Sequence, residues 1–416
     1  MDPRKRPPEP IIDNLDFIDN PFKSRDFSSL PYTGEQAVTG ADQDLEYALK
    51  FLYSYNGSSA TFNSYRREIE RLLQWAWRIE QATAIRLKRE HIEEFIRFCN
   101  DPPLAWIGTK NVPRFRTTAD GRVASEEWRP FVATVSKTEH KAGIRPDAKR
   151  FYPSQAAIRA TFTALSSFYK YLVQEDLIEA NPVALIRQKS KFIRKDHQRA
   201  PVRRISNLQW DYVLETAEQM AQQDPQHERT LFIMNCLFAM YLRISELVAD
   251  ERSMPMMGDF RKDLDGNWWF HVTGKGNKNR TITVCDAMLQ ALKRYRQSLG
   301  LPSLPSPGER VPLIAKTLGR GPVTSSRNIR KIVQACFDRS YERMCTEGLE
   351  EDAGELKAAT VHWLRHTGIS EDVKFRPREH VRDDAGHASM ATTDRYIESD
   401  LRERHQSAKR KRIKDL

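Results

Sequence analysis

The sequence predicts a mainly helical chain of two domains, with a single small β-hairpin in the second. Three observations carry this. Apolar residues recur at helical spacing, as at Tyr65, Ile69, Leu72, Leu73 and Ala76. One pair of short alternating segments, WFHV and TITV, flanks a glycine-rich turn, the pattern of a hairpin. Finally, 416 residues exceed what one compact core accommodates, and a basic stretch without periodicity at 187–205 separates two helical halves.

Composition narrows the class. Apolar residues at 39% and charged residues at 30% describe a soluble globular protein. No apolar run approaches the length that crosses a bilayer, and MDPRKRPPEPIIDN lacks the apolar core of a signal peptide, so the chain is expected to stay in the compartment where it is made. The net charge of +11 favours a polyanionic partner, nucleic acid before membrane, because no basic amphipathic helix with an aromatic face stands out. Cys99, Cys236, Cys285, Cys336 and Cys345 are scattered and contain no C-x-x-C pair, which predicts reduced, mostly buried thiols and neither a disulfide framework nor a zinc site.

In chain order, residues 1–40 are rich in Pro, Asp, Ser and Arg and read as a mobile or loosely docked arm. A helical domain follows over 41–186. Its first helix is DLEYALKFLYSY, and a second starts at Ser59 or Thr61 and runs through TFNSYRREIERLLQWAWRIE. A third, KREHIEEFIRFCN, ends at Asp101-Pro102, and a fourth is opened by Ser154 as N-cap and is expected to run to Pro182. Arg66, Arg67, Arg159 and Lys170 on these helices would grip phosphates, an ordinary solvated helix face being the alternative for each. Residues 102–153 form a long basic insertion with interleaved aromatics, either a DNA-contacting loop or a protein-protein element. The stretch RQKSKFIRKDHQRAPVRRI, with Lys191, Arg194, Lys195, Arg203 and Arg204, reads as a linker crossing DNA or else as a solvated hinge.

The second domain, 206–400, opens with Ser206 capping NLQWDYVLETAEQMAQQ. TLFIMNCLFAMYLRISELVAD is apolar nearly all round at first and predicts a central buried helix with Arg243 near its end. A buried arginine needs an anion or a carboxylate, and Glu246 is one such partner. Lys275, Lys278 and Arg280 cluster at the hairpin turn, and Lys278 and Arg280 are candidate DNA contacts. The G-K-G there lacks the Lys-Ser/Thr of a nucleotide-binding loop, and a lysine at a hairpin tip is otherwise simply solvated. TSSRNIRKIVQACFDRSYERMC is a helix offering Arg327, Arg330 and Lys331 to DNA; GLEEDAGELKAA reads as an acidic loop, and residues 401–416 as a basic tail of helical composition.

The chemistry concentrates at 360–396. If TVHWLRHTGISEDV is helical, His362, Arg365 and His366 share one face. His387 follows in GHAS, a glycine-led turn, and Tyr396 comes nine residues after it. Such a set suits phosphate chemistry: a guanidinium forks onto two oxygens, an imidazole donates or shuttles a proton, and a phenol can attack phosphorus. Taken alone, Tyr396 would be a half-buried aromatic. A metal site at His362, His366 and His387 is disfavoured, because Arg365 among them repels a cation and no Asp, Glu or Cys stands at ligand spacing.

The order H-x-x-R, then G-H, then Tyr resembles the carboxy-terminal signature of the tyrosine recombinase (phage integrase) family. FAMYLRISELVAD matches its A-x-x-L-R-x-S-E-L segment through Arg243, and VTGKGNKNRTITV its G-K-G-x-K-x-R hairpin through Lys275. The resemblance implies a helical core-binding domain and a mixed α/β catalytic domain that together form a C-shaped clamp on DNA. It implies a site-specific DNA recombinase in which Tyr396 forms a 3′-phosphotyrosyl intermediate, strands being exchanged one pair at a time through a Holliday junction. Arg243, Arg365 and His387 would hold the scissile phosphate, His362 would take the phenolic proton, Lys275 would act as general acid, Glu246 would organise the site, and Lys278 would contact a phosphate. One phosphodiester is exchanged for another, so neither ATP nor a metal is needed and no cofactor is expected. The implied partners are double-stranded DNA with a specific recombination site, a homotetramer on paired sites and accessory DNA-bending proteins, with the tail docking on a neighbouring protomer or binding DNA nonspecifically. The setting implied is the cytoplasm and nucleoid of a bacterium, in integration or excision of a mobile element or in resolution. Two departures stand out: Ala385 precedes Gly386 where the family usually has Leu, and KFRPREHVRDD is more charged than the usual apolar helix. A noncatalytic DNA-binding protein of the same fold is the rival reading. A type IB topoisomerase, which uses a similar residue set but acts alone, fits the separate helical domain and basic tail less well.

Overall fold

A computed structural model of the chain describes residues 6–22, 38–119, 121–184, 186, 203–251, 253–274, 278–317, 319–396 and 409. The chain divides into two units, 1–198 and 199–416.

In the first unit α1 (Ala41–Tyr53), α2 (Ser59–Trp75), α3 (Arg89–Asn100) and the long α5 (Gln155–Gln174) enclose an apolar core that includes Leu52, Phe62, Leu72, Phe95 and Leu165. Each start follows a local cause. Ser154 accepts the Ala157 N–H and caps α5. The same helix stops well before Pro182, because Asp176 takes the left-handed conformation at φ 55 and the Leu177 N–H turns back onto the Leu172 carbonyl.

Residues 6–22 of the arm, expected to be mobile or loosely docked, and the insertion are both packed into the first unit, residues 23–37 lying outside those described. Residues 6–22 are docked: Ile11 and Ile12 are buried, the Glu70 carboxylate accepts the Ile11 N–H at 2.5 Å, and Gln74 Nε2 donates to the Glu9 carbonyl at 2.8 Å. In the insertion β1 (Ile107–Gly108) pairs in parallel with β4 (Phe131–Val132), and β2 (Phe115–Thr118) and β3 (Gly121–Ala124) form a hairpin ahead of the short α4 (Lys137–Lys141). Trp106 and Phe131 are buried in the domain core, Arg114 pairs with Glu70, and Arg71 donates to the Pro130 carbonyl at 2.8 Å. The insertion is therefore built into the unit. Part of it closes the core.

The second unit begins at α6 (Asn207–Gln223), where Ser206 and Gln209 cap each other reciprocally. It continues with α7 (Glu228–Ala239), a sheet of order β5 (Phe260–Lys262), β6 (Trp268–Gly274) and β7 (Lys278–Thr283), then α8 (Asp286–Ser298) and α9 (Ser326–Thr346). Phe260, Phe270 and Ile282 stand opposite one another on the core side of the sheet. Where an acidic loop is expected, α10 (Glu350–Ala353) and a 3-10 turn (Gly354–Lys357) form instead, because Ala353, Leu356 and Ala359 are drawn fully into the core. The chain ends, as described, with α11 (Val361–Asp372), α12 (Arg378–Ala385), α13 (Met390–Thr393) and a 3-10 turn (Asp394–Tyr396). α11 crosses α7 at close range at Gly368, where a Cβ would run into the Phe238 carbonyl oxygen.

One correction bears on the site. The apolar helix ends at Ala239, so Arg243 does not ride on it. Tyr241 takes φ 50, Arg243 is extended, and Ile244–Glu246 makes a 3-10 turn that leads the chain away. All five cysteines are free thiols, three of them buried. Among the described residues no helix is long and apolar enough to cross a membrane.

Candidate active site

Helix α11 places its three titratable groups as the spacing requires. His362 and His366 have ring centroids 5.1 Å apart, one turn of helix from each other. Arg365, on the same helix, is 3% exposed. Its guanidinium lies between two backbone carbonyls, that of Tyr241 and that of Ala385, and its Nη2 is 3.3 Å from His387 Nε2.

The turn after α12 seats the remaining groups. Gly386 closes that helix at φ 64, and a Cβ there would approach Arg280 Cδ at 2.8 Å, so glycine answers both the backbone conformation and the space. Its carbonyl accepts from Arg243 Nη2 at 3.1 Å. His387 is fixed by the buried Thr393, whose Oγ1 is 2.9 Å from Nδ1. The Tyr396 ring stacks on His387 with centroids 5.7 Å apart and planes 10° apart, and it meets His366 edge-on at 5.4 Å. One phenol thus sits between two imidazoles, beside a buried guanidinium.

Glu246 supports both sides of this arrangement. It is 5% exposed, accepts the Arg243 N–H at 2.7 Å and Arg243 Nη1 at 3.0 Å, and takes both Nη atoms of Arg280 at 2.7 and 2.8 Å. Burial alone would raise its carboxyl pKa, but the bonds and charge of Arg280, then of Arg243, hold it below the ordinary range. The clamp keeps Arg243 extended and only partly exposed.

Charge sets the protonation of the imidazoles. Burial, then Arg365, Arg243 and Arg280, push the His387 pKa down to about 4, and burial with Arg365 and Arg243 lowers His362. Burial likewise lowers Arg365 to about 10, still a cation at neutral pH. His387 therefore serves as a neutral donor or acceptor. Between its ordinary 6.5 and about 4 the unfolded chain binds a proton that the folded chain does not, so this contribution is complete above pH 6.5 and is lost as pH falls towards 4. Melting temperatures measured across that range are expected to fall more steeply for the wild type than for His387→Gln; parallel curves would contradict the assignment.

The sequence-predicted set is largely brought together: Arg243, Glu246, His362, Arg365, His387 and Tyr396 all meet in the second unit. Lys275 lies outside the described residues, as do Lys191, Arg194, Lys195 and, apart from Lys409, the tail. Lys278 is placed on β7 by its backbone alone. Two expected DNA contacts are committed elsewhere. Arg66 is buried and donates to the Asp13 carbonyl and, at 2.9 Å, to Asn14 Oδ1, which pins the arm; Arg280 is the inner half of the Glu246 clamp. Arg67, Arg159, Lys170, Arg203, Arg327 and Arg330 remain exposed, while Arg204 is half-buried. Arg330 shares a cleft of about 360 Å³ with His362 and Thr360. Sequence reasoning missed Thr393, Tyr241, Arg376 and Asp384 as supports. Among the described residues, no three His, Cys, Asp or Glu side chains are grouped to hold a metal ion.

No family model matches the sequence. Among curated proteins the chain is 27% identical over 263 residues to the tyrosine recombinase XerC of Thermodesulfovibrio yellowstonii, covering 60% of this chain and 73% of that one. It is 25% identical over 311 residues to the tyrosine recombinase XerC of Bacillus pumilus, covering 74% and 83%. Its fold is that of the XerH site-specific recombinase in a post-cleavage complex with a palindromic difH substrate, at a TM-score of 0.53 and 13% identity over 88% of this chain and 84% of that one. The Tn1549 transposon integrase in complex with transposon right-end DNA aligns at 0.50 with 15% identity, over 88% and 98%.

Proposed function

We propose that this chain, a member of the tyrosine recombinase family, cuts and rejoins DNA at a specific site through a covalent bond between Tyr396 and a 3′ phosphate. The observation that carries the reading is the packing of the Tyr396 ring on His387 and against His366, beside the buried cation Arg365. A phenol of ordinary pKa near 10 is a weak nucleophile at neutral pH, so the step needs a base to take its proton.

In the step proposed, the Tyr396 oxygen attacks phosphorus in line and the bond to the 5′ oxygen breaks. The phenolic proton passes to His362, whose lowered pKa keeps it unprotonated and ready to accept. Arg243 and Arg365 hold the nonbridging oxygens, each contributing on the order of 3 kcal/mol to the charged transition state, with His387 as a further donor. Lys275 protonates the departing 5′ oxygen. The 5′ hydroxyl of a partner strand then attacks the phosphotyrosine and regenerates the phenol. Bond energy is conserved throughout, so no nucleotide or metal enters. Exposed Arg67, Arg159 and Lys170 in the first unit and Arg327 and Arg330 in the second supply the phosphate contacts that fix register on duplex DNA. Exchange one strand pair at a time through a Holliday junction needs two paired sites and four protomers, which makes a DNA-bound homotetramer the working form, in integration, excision or resolution.

The test uses supercoiled DNA carrying the flanks of the protein's own locus, incubated in EDTA without nucleotide and then denatured. A protein-DNA adduct that survives denaturation is expected. Tight binding of that DNA with exchange of neither strand and no adduct would favour the noncatalytic reading.

A further inference from the structure

The seats of the two active-site arginines are backbone carbonyls, and those carbonyls are held by a charged lattice. Arg365 lies between the Tyr241 and Ala385 carbonyls, and Arg243 donates to the neighbouring Gly386 carbonyl. These belong to two separate segments, the turn after α7 and the end of α12. Arg376, in the turn between α11 and α12, bonds to both. Its Nη1 lies 3.0 Å from the Tyr241 hydroxyl and 3.0 Å from Asp372 Oδ2, while Nη2 lies 2.6 Å from Asp384 Oδ2, one residue before Ala385. Tyr241 also donates to Asp372 directly, and Asp384 Oδ1 accepts the Thr283 N–H at 3.1 Å, which ties the lattice to β7.

The positions so held are ones that would otherwise relax. Tyr241 carries a left-handed φ without being glycine, a conformation that persists only where its surroundings impose it. Ala385 offers a single methyl to the small apolar cluster of Tyr241, Ile369 and Val381, so apolar packing alone gives α12 little purchase. Two charges of KFRPREHVRDD, Arg376 and Asp384, are thus turned inward as a brace, while Lys374, Arg378, Glu379 and Asp383 stay exposed.

We propose that Arg376 is a positioning residue for the strand-transfer site: one guanidinium sets the distance between the Tyr241 and Ala385–Gly386 backbones and so keeps Arg365 and Arg243 aimed at one phosphate. It touches no reacting atom itself. The proposal rests on the strand-transfer reading above.

The experiment uses the full chain and a DNA duplex on which the wild type forms its adduct. For Arg376→Gln, the rate of adduct formation at saturating protein is expected to fall roughly 100-fold, the cost of misplacing reacting groups by about 1 Å. The dissociation constant for the same duplex is expected to stay within about two-fold, since phosphate contacts elsewhere supply affinity. Tyr241→Phe keeps the ring in its apolar cluster and removes only the hydroxyl, so it stays folded and is expected to slow the rate about 10-fold, as for one lost hydrogen bond to a charged group. Lys374→Gln, which removes a neighbouring exposed charge paired with Glu371, is the control and leaves the rate unchanged. A rate unchanged in both variants, or one that falls only in step with affinity or with the folded fraction, would overturn the positioning role while the wild-type adduct leaves strand transfer standing. No adduct from the wild type would remove the reading and the proposal with it.

Discussion

Tyr396→Phe is expected to lower covalent adduct formation by roughly 10⁴-fold or more while leaving DNA affinity within about two-fold. The two halves of this expectation come from different atoms. The ring packs on His387 and meets His366, and phenylalanine keeps those surfaces. Only the hydroxyl is lost, and with it the atom that bonds to phosphorus. Denaturing gels with a labelled duplex read the first half, and equilibrium binding reads the second. Residual adduct near the wild-type level would mean that another nucleophile does the work.

Glu246→Ala is expected to cost about 3–5 kcal/mol of folding free energy in the second unit, the usual penalty for removing one partner of a buried ion pair. Here two guanidinium groups lose one carboxylate. Arg280, 11% exposed at its side chain, keeps only the Asp384 carbonyl at 3.1 Å, and Arg243 keeps the Gly386 carbonyl. Both would then repel Arg365 with less compensation, its pKa being depressed already by burial and then by Arg243 and Arg280. A fall of roughly 10 °C or more in the melting transition of that unit is expected. Glu246→Gln retains shape and part of the bonding and should lose less. Equal melting of wild type and Glu246→Ala would show that the two arginines find water or other partners at no cost.

Much of the molecule was legible in the residues, for identifiable reasons. Helix starts at Ser154 and Ser206 are local hydrogen-bond events, and the face shared by His362 and His366 follows from one turn of helix. What escaped was long-range or conformational. Nothing in FAMYLRISEL marks Tyr241 as left-handed, so the break that frees Arg243 from its helix had no local signal. Arg66 and Arg280 were expected to contact DNA because a cation count does not distinguish faces. Periodicity could have done so: Arg66 follows the buried Phe62 by one helical turn, and Arg280 stands two residues before the buried Ile282, opposite Val272. The docking of residues 6–22 depends on Glu70, Gln74 and Arg66, more than fifty residues away, and on Arg122, farther still. Long-range partners of that kind leave no periodicity to read.

The most direct test of strand transfer is to identify the bonded atoms. After adduct formation, nuclease and protease digestion followed by mass spectrometry should find a nucleotide on the peptide containing Tyr396, and the cleaved strand should carry a free 5′ hydroxyl. A nucleotide on any other residue, or protein attached to the 5′ end, would contradict the account.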